Sequence, residues 1–298
     1  MSNYVDLHCH STASDGRLTP AQLVERAKTV GLRALALTDH DTVAGVSSFQ
    51  AAARATGLEA IAGVEVSADY EKGTMHIVGL YVDAQSQSFR AFLKHLADGR
   101  KVRNPQIVEQ LNNLGMAISM GEVEQEANQN AADAQEGLVE KSIGRPHIAA
   151  VMIKRGYVKT KQEAFERFLA KGKPAYISRF SAAPDECIKQ IHTAGGLAIL
   201  AHPSYLNAAD DTEMTEIIGE LKGNGLDGIE VFYSTHSRNQ TALCLHLAEK
   251  FDLLQSGGSD FHGEPGRGGT SVELGSGINN SVSVDYAVLE KIKARLRR

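Results

Sequence analysis

The 298-residue chain has no tryptophan, three cysteines and only 6% aromatic residues. Cys9, Cys187 and Cys244 are odd in number and far apart, so they do not read as a disulfide framework; a reducing cytoplasm fits them. The scarcity of aromatics leaves no interleaved stacking platform. Base recognition would fall to one or two residues, with Tyr233 and Phe261 as candidates. No apolar run reaches the roughly 18 residues of a membrane span. The opening MSNYVDLHCH lacks the basic and apolar regions of a secretory signal. The formal charge of −5 argues against a broad basic face that coats DNA or RNA, although a strand end or a small anion at a locally positive site remains compatible with it.

What the chain does contain is alternation. Strand-like runs at 4–10, 34–39, 60–67, 75–82, 197–202, 228–233 and 253–256 are separated by apolar residues at helical spacing. In 20–30, for example, Leu23, Ala27 and Val30 share a face, with Thr19 as N-cap and Pro20 in the first helical position. Such repetition implies an α/β chain with a mainly parallel sheet or barrel. One stretch breaks the rhythm. Residues 99–172 show no strand alternation but carry Ile107, Leu111, Leu114, Ile148, Met152 and Ile153 at helical spacing. We read 1–98 with 173–298 as one catalytic unit and 99–172 as a helical insert; two connecting helices with a long loop are the alternative. The final DYAVLEKIKARLRR reads as a terminal helix with a solvated basic face.

Chemistry-bearing residues gather at the ends of the strand-like runs. Asp6, His8 and His10 alternate along the first strand and share a face, leaving Cys9 on the other as a small buried hydrophobe. Asp15 follows in TASDG, His40 closes LALTDH, Glu65 sits in GVEVS, His202 closes LAILAH, and Asp260 and His262 follow LLQSGG. In parallel sheets and barrels, functional groups collect at the carboxyl ends of strands. His76 instead opens its strand. A hairpin turn at 69–73, with antiparallel return, would bring it beside Glu65. The set His8, His10, Asp15, His40, Glu65, His76, His202, Asp260 and His262 is too large for one ion. It suits two or three divalent ions, with Glu65 as the bridge. Imidazole and carboxylate without thiolate fit zinc, manganese or iron alike.

The segments DLHCHSTASDG, LALTDHDT, GVEVS, TMHIVGLYV, LAILAHPS and GGSDFHG resemble the PHP (polymerase and histidinol phosphatase) family in order and spacing. The resemblance implies a distorted (β/α)7 barrel of PHP type and a trinuclear metal site, with these nine residues in the ligand positions. The segments GRPH at 144–147 and KGKPAY at 171–176 are similar to the group of 3′,5′-nucleotide bisphosphate phosphatases and RNase AM. That likeness implies a metal-dependent phosphoric ester hydrolase, commonly using manganese. Its substrates would be phosphorylated nucleotides or the 5′ end of short RNA, cleaved by metal-activated hydroxide.

Metals alone do not select a substrate. Arg145, ahead of Pro146 at an expected helix N-terminus, offers a forked donor to a phosphate. Lys173 and Arg179 flank the return from the insert and offer a second phosphate or ribose contact. His236 lies just past a strand end and could protonate the leaving oxygen, or be a loop histidine. Asp39 either supports a metal ligand from behind or simply ends its strand. Lys94, Arg100, Lys101 and Arg103 are a guide for RNA or a solvated helix face. Two rival readings stand beside the nucleotide enzyme: a phosphatase for a small substrate such as histidinol phosphate, and a non-catalytic module stabilised by metal.

Overall fold

The computed structural model describes residues 3–128, 142–178, 180–263 and 271–297. Eight strands form one nearly closed sheet: β1 (Tyr4–Cys9), β2 (Ala34–Leu37), β3 (Glu59–Ala68), β4 (Met75–Leu80), β5 (Leu197–Leu200), β6 (Gly228–Tyr233), β7 (Leu254–Gly258) and β8 (Val284–Asp285). Their order is β7-β6-β5-β4-β3-β2-β1-β8. The ends meet because the chain just past β7 bonds to β1: Asp260 N–H donates to the His8 carbonyl and His10 N–H to the Phe261 carbonyl, both at 2.9 Å. Gly258 sits at this seam. A Cβ there would lie 2.5 Å from the His8 backbone nitrogen, so only glycine allows the approach. The two-residue β8, which pairs antiparallel with Tyr4 and Val5, fills the other end of the seam. This is the distorted barrel expected from sequence, with β8 as an addition too short to show as a periodic run.

β4 runs antiparallel to both β3 and β5, while β1–β2, β2–β3, β5–β6 and β6–β7 are parallel. The hairpin expected around 69–73 is therefore present, with Ser67 opposite His76. Reversal of β4 turns its first residues toward the end of the barrel where the parallel strands finish.

Helices α1 (Pro20–Val30), α2 (Val46–Arg54), α7 (Pro184–Thr193), α8 (Asp211–Gly223) and α9 (Arg238–Lys250) cover the strands, and α10 (Tyr286–Leu296) follows β8. α1 starts as its sequence requires, with Thr19 and Gln22 forming a reciprocal capping box before Pro20. Leu23 and Ala27 are buried with Val24, whereas Val30 in the last turn is exposed. Alternation along the strands divides the apolar residues. Leu35 and Leu37 pack with Leu23 and Phe49 of the helix layer, while Ala34 and Ala36 join Val5, Leu7, Ile61 and the α10 residues Leu289 and Ile292.

Between β4 and β5 lie α3 (Gln87–Asn113), α4 (Met120–Asn128), α5 (Arg145–Lys154), α6 (Lys161–Ala164) and a single π-helical turn at Phe165–Leu169. Ile107, Val108 and Leu111 of α3 pack with Val123, Ile148 and Met152 in a cluster of their own. Phe89, Leu93 and Leu96 of the same helix pack against the barrel. α3 thus runs unbroken through residue 99, where sequence had placed a boundary.

The junction is tied by a buried ion pair. Arg100 donates to the Asp41 carboxylate at 2.5 and 3.0 Å and to the Ser67 hydroxyl at 3.1 Å. Asp41 also accepts the Ser67 backbone N–H at 2.8 Å. Removing one partner of a buried pair costs about 3–5 kcal/mol, because the other charge stays desolvated. Arg100→Ala should lower unfolding stability by about that amount in urea titration, and adding Asp41→Asn should recover a large part of it. A loss under about 1 kcal/mol would show that solvent reaches Asp41.

Candidate metal centre

The nine candidate ligands converge. His8 and His10 come from β1 and its end, Asp15 from the β1–α1 loop, and His40 from just past β2. Glu65 lies within β3, His76 in the first turn of β4, His202 just past β5, and Asp260 and His262 past β7. Glu65, 1% exposed, is the hub. Its carboxylate oxygens lie 2.8 Å from His76 Nδ1 and from His202 Nε2, 2.9 Å from His40 Nδ1, 3.2 Å from His10 Nε2 and 3.4 Å from His8 Nε2. Asp260 Oδ1 lies 3.1 Å from His10 Nε2 and 3.3 Å from His8 Nε2, and Asp15 Oδ1 lies 3.3 Å from His262 Nε2.

Three donor groups follow: His10 with Asp15, His40 and His262; His8 with His10, Glu65 and Asp260; and His40 with Glu65 and His76. Within each, the donor atoms lie within 4.8 Å of one another. Donors about 2.1 Å from a common ion would themselves be about 3.0–3.4 Å apart, close to many of the spacings here. Among the described residues, the buried atoms His8 Nε2, His10 Nε2, Asp15 Oδ1, His40 Nδ1, Glu65 Oε2 and Asp260 Oδ1 have no hydrogen-bond partner. Buried polar atoms are rarely left so, and atoms aimed at one another across a shared space are what divalent ions would satisfy. The residues therefore fit a metal cluster.

Charge points the same way. Burial raises the Glu65 carboxyl, but His76, His40 and His8 outweigh it and hold the group well below the usual carboxylate range. Asp15 and Asp260 are also held low against burial, Asp15 chiefly by His262 and His40 and Asp260 by His8 and His262. Burial lowers His10, yet Asp260 and Glu65 push it up to about 10. Burial takes His76 down to about 4. Three ionised carboxylates in a dry pocket demand cationic charge, whether from imidazolium or from metal.

A second layer holds these ligands in place. Glu230, 3% exposed on β6, lies 3.1 Å from His8 Nδ1 and accepts the His202 backbone N–H at 2.7 Å. It fixes the ring of one candidate ligand and the backbone of another. Its sequence signal is a single carboxylate inside the apolar run GIEVFY. Asp39 accepts the Ser11 backbone N–H and both the Ser11 and Ser14 hydroxyls. It pins the loop that carries Asp15, instead of supporting His40. Asp6 turns toward the chain past β7, accepting Ser259 N–H and hydroxyl and Gly275 N–H. His202 and Asp260 adopt φ of 29° and 57°, strained values at the two strand ends where ligands must turn inward.

The cluster floors a cleft of about 890 Å³. Arg100, Arg103, Arg145, Lys161 and Phe165 form one wall, and Tyr205, Tyr233 and Thr235 lie on its strand-end side. Arg145 is the first residue of α5, as expected, and donates to the Leu169 carbonyl at 2.9 Å. Arg100 and Arg103 are buried and line the cleft, whereas Lys94 and Lys101 pair with Asp98 on the surface. The basic stretch is thus divided by helical periodicity.

Four expectations do not carry over. Lys173 is exposed in a turn and does not line the cleft; Lys161 does. His236 faces away: its Nδ1 lies 3.0 Å from the Val231 carbonyl, and it lines a separate 220 Å³ cavity with Ser204 and Cys244. Phe261 is 3% exposed in the α1–α2 core, because its strand-end position points it at the helix layer. Tyr233 does line the cleft, but it is buried and donates to Asp260 at 2.8 Å, so it orients a carboxylate and has no free face. Arg179 lies outside the described residues.

The PHP domain profile matches residues 6–171. A 5′-3′ exoribonuclease of Haemophilus influenzae is 37% identical, covering 88% of this chain and 91% of the relative. A 3′,5′-nucleoside bisphosphate phosphatase of Chromobacterium violaceum is 36% identical, covering 90% of each. The solved structure of an amidohydrolase from Chromobacterium violaceum, with bound sulfate and no metal, superposes with a TM-score of 0.83 at 31% identity, covering 99% of this chain and 97% of the other. Fold, donor cluster and relatives together define a metal-dependent phosphoric ester hydrolase. The chain belongs to the PHP family.

Glu230→Gln keeps the shape of this buried support and removes its charge. Metal affinity, measured by competition with a chromogenic chelator, should fall about 10–100-fold while the melting temperature changes little. Unaltered affinity would mean that Glu230 serves only the His202 backbone past the end of β5.

Proposed function

We propose that this enzyme removes a phosphate from 3′,5′-bisphosphorylated nucleotides and, by the same chemistry, releases nucleotides from the 5′ end of short RNA. The observation that carries the reading is a second cationic station in the cleft. Burial and the neighbouring Arg100 guanidinium lower the Arg145 pKa, and no carboxylate among the described residues pairs with it. It stacks instead over Phe165 and Tyr176, at 5.5 and 5.7 Å. One phosphate at the metal cluster leaves this half-buried guanidinium without an anion; a substrate with two phosphates supplies one. The activities for which the Haemophilus and Chromobacterium relatives are named, and the sulfate in the solved structure, support the same substrate class.

The nine converging residues would hold the ions, and three groups joined through His10, His40 and Glu65 favour three of them. Oxygen and imidazole donors suit manganese, with zinc or iron as the alternatives. Divalent ions bound there supply an activated water nucleophile and neutralise phosphate charge. The chain's own residues do the rest. Arg145 and Lys161 orient the substrate, and Tyr233 and Glu230 keep Asp260 and His8 in position. Selection then lies in the helical segment and chemistry in the barrel. No helix among the described residues is long and apolar enough to cross a membrane. The three buried cysteines form no disulfide with one another, which supports a reducing cytoplasm as the working compartment.

Phosphate release by manganese-loaded protein should be compared on adenosine 3′,5′-bisphosphate, adenosine 5′-monophosphate and histidinol phosphate. The bisphosphate should lead; a lead for histidinol phosphate would discard the substrate assignment and leave the metal site intact. His10→Ala should lose bound metal and at least about 100-fold in rate, since His10 belongs to two donor groups. Arg145→Ala should lower kcat/KM on the bisphosphate about 10–100-fold, the worth of a charge-assisted contact, with metal content intact. Normal kinetics in that variant would remove the second station.

A further inference from the structure

Three aromatic residues line the cleft among the described residues: Phe165, Tyr205 and Tyr233. Tyr233 is buried and holds Asp260. Phe165 lies beneath Arg145 and packs on the helical core. Tyr205 differs from both, being 41% exposed. Its backbone is nonetheless fixed. It sits in the short 3-10 turn Pro203–Leu206, directly after His202. Thr74 N–H donates to its carbonyl at 2.9 Å. Gly73 closes over it so tightly that a Cβ at residue 73 would lie 2.2 Å from that oxygen. The ring is braced too. Its centroid lies 4.9 Å from that of His202 and 5.8 Å from that of Tyr233, edge to face with the latter at 87°, and its hydroxyl is 3.3 Å from the Tyr233 hydroxyl.

We infer that Tyr205 is the platform on which the base of a bound nucleotide stacks. The inference rests on the nucleotide reading of the cleft and assigns the base its place. A held aromatic ring with open surface, one ring away from the candidate ligand His202, gives a base a stacking partner at little cost in side-chain entropy. Stacking reads the π-face and makes no use of base-edge hydrogen bonds, so this platform favours nucleosides over simple phosphate esters without choosing sharply among the four bases. Purines should run ahead of pyrimidines only by their larger area.

The test uses the manganese-loaded enzyme and two substrates that differ only in the base: adenosine 3′,5′-bisphosphate and ribose 3,5-bisphosphate. Wild type should prefer the nucleotide. In Tyr205→Leu, which keeps apolar bulk beside His202 and removes the π-face, that preference in kcat/KM should fall about ten-fold, mainly through KM. Tyr205→Phe should restore most of it. A preference in Tyr205→Leu equal to wild type, or a wild type indifferent to the base, would overturn the platform while leaving the bisphosphate reading standing. A wild type that releases phosphate from neither compound would sink that reading, and the platform with it. Metal content measured on each variant separates loss of the π-face from disturbance of His202: a fall in preference at full metal content supports the platform, and one that tracks lost metal counts against it.

Discussion

Everything at the open end of this barrel depends on one buried carboxylate. Glu65 meets five imidazoles within 3.4 Å, drawn from β1 and its end, the end of β2, the start of β4 and the end of β5. No local segment could gather them. The carboxylate is tolerable in a dry pocket only because positive charge surrounds it. The strands must therefore close, and close in register, for the group to be stable at all. The same closure builds three donor groups that share members, so a change at Glu65, His10 or His40 reaches more than one of them.

Around this hub the supporting carboxylates divide the labour. Glu230 holds a ring and a backbone, Asp39 holds the loop that brings Asp15, and Asp6 holds the chain that brings Asp260. Each accepts hydrogen bonds from donors whose placement decides where a candidate ligand points. Asp41 does something different by reaching across to Arg100 on α3. That ion pair fixes the helical segment against the barrel. The segment in turn places Arg145 and Lys161 over the donor cluster. The cationic wall of the cleft and the donor cluster are thus mechanically joined through a pair whose arginine itself lines the cleft.

Much of this was legible in the chain itself. Seven strands announce themselves by apolar runs, and most of the nine candidate ligands sit at or just past their ends. The reversal of β4 could be inferred because His76 opens its strand while its counterparts close theirs. The short β8 could not, since two residues carry no period. The boundary at residue 99 expected for the helical insert falls within α3, whose apolar stripe changes partner midway, from Leu96 on the barrel to Ile107 in the helical cluster, and periodicity does not say what a face packs against.

Residues that act by contact across the fold are the ones whose placement differs from the expectation. Lys173 and Lys161 look alike in sequence, and only the course of α6 and the turn after it puts one in the cleft and the other in solvent. His236 and Phe261 both lie near strand ends, yet the backbone there turns one to a neighbouring cavity and the other into the core. The sequence by itself determined the strand-and-helix rhythm, the ligand types and the family, because those depend on local periodicity and on side-chain chemistry. Only the tertiary structure decided which carboxylates support the candidate ligands, which cations line the cleft and which tyrosine keeps an open face, because each of these depends on direction and distance between segments far apart in the chain.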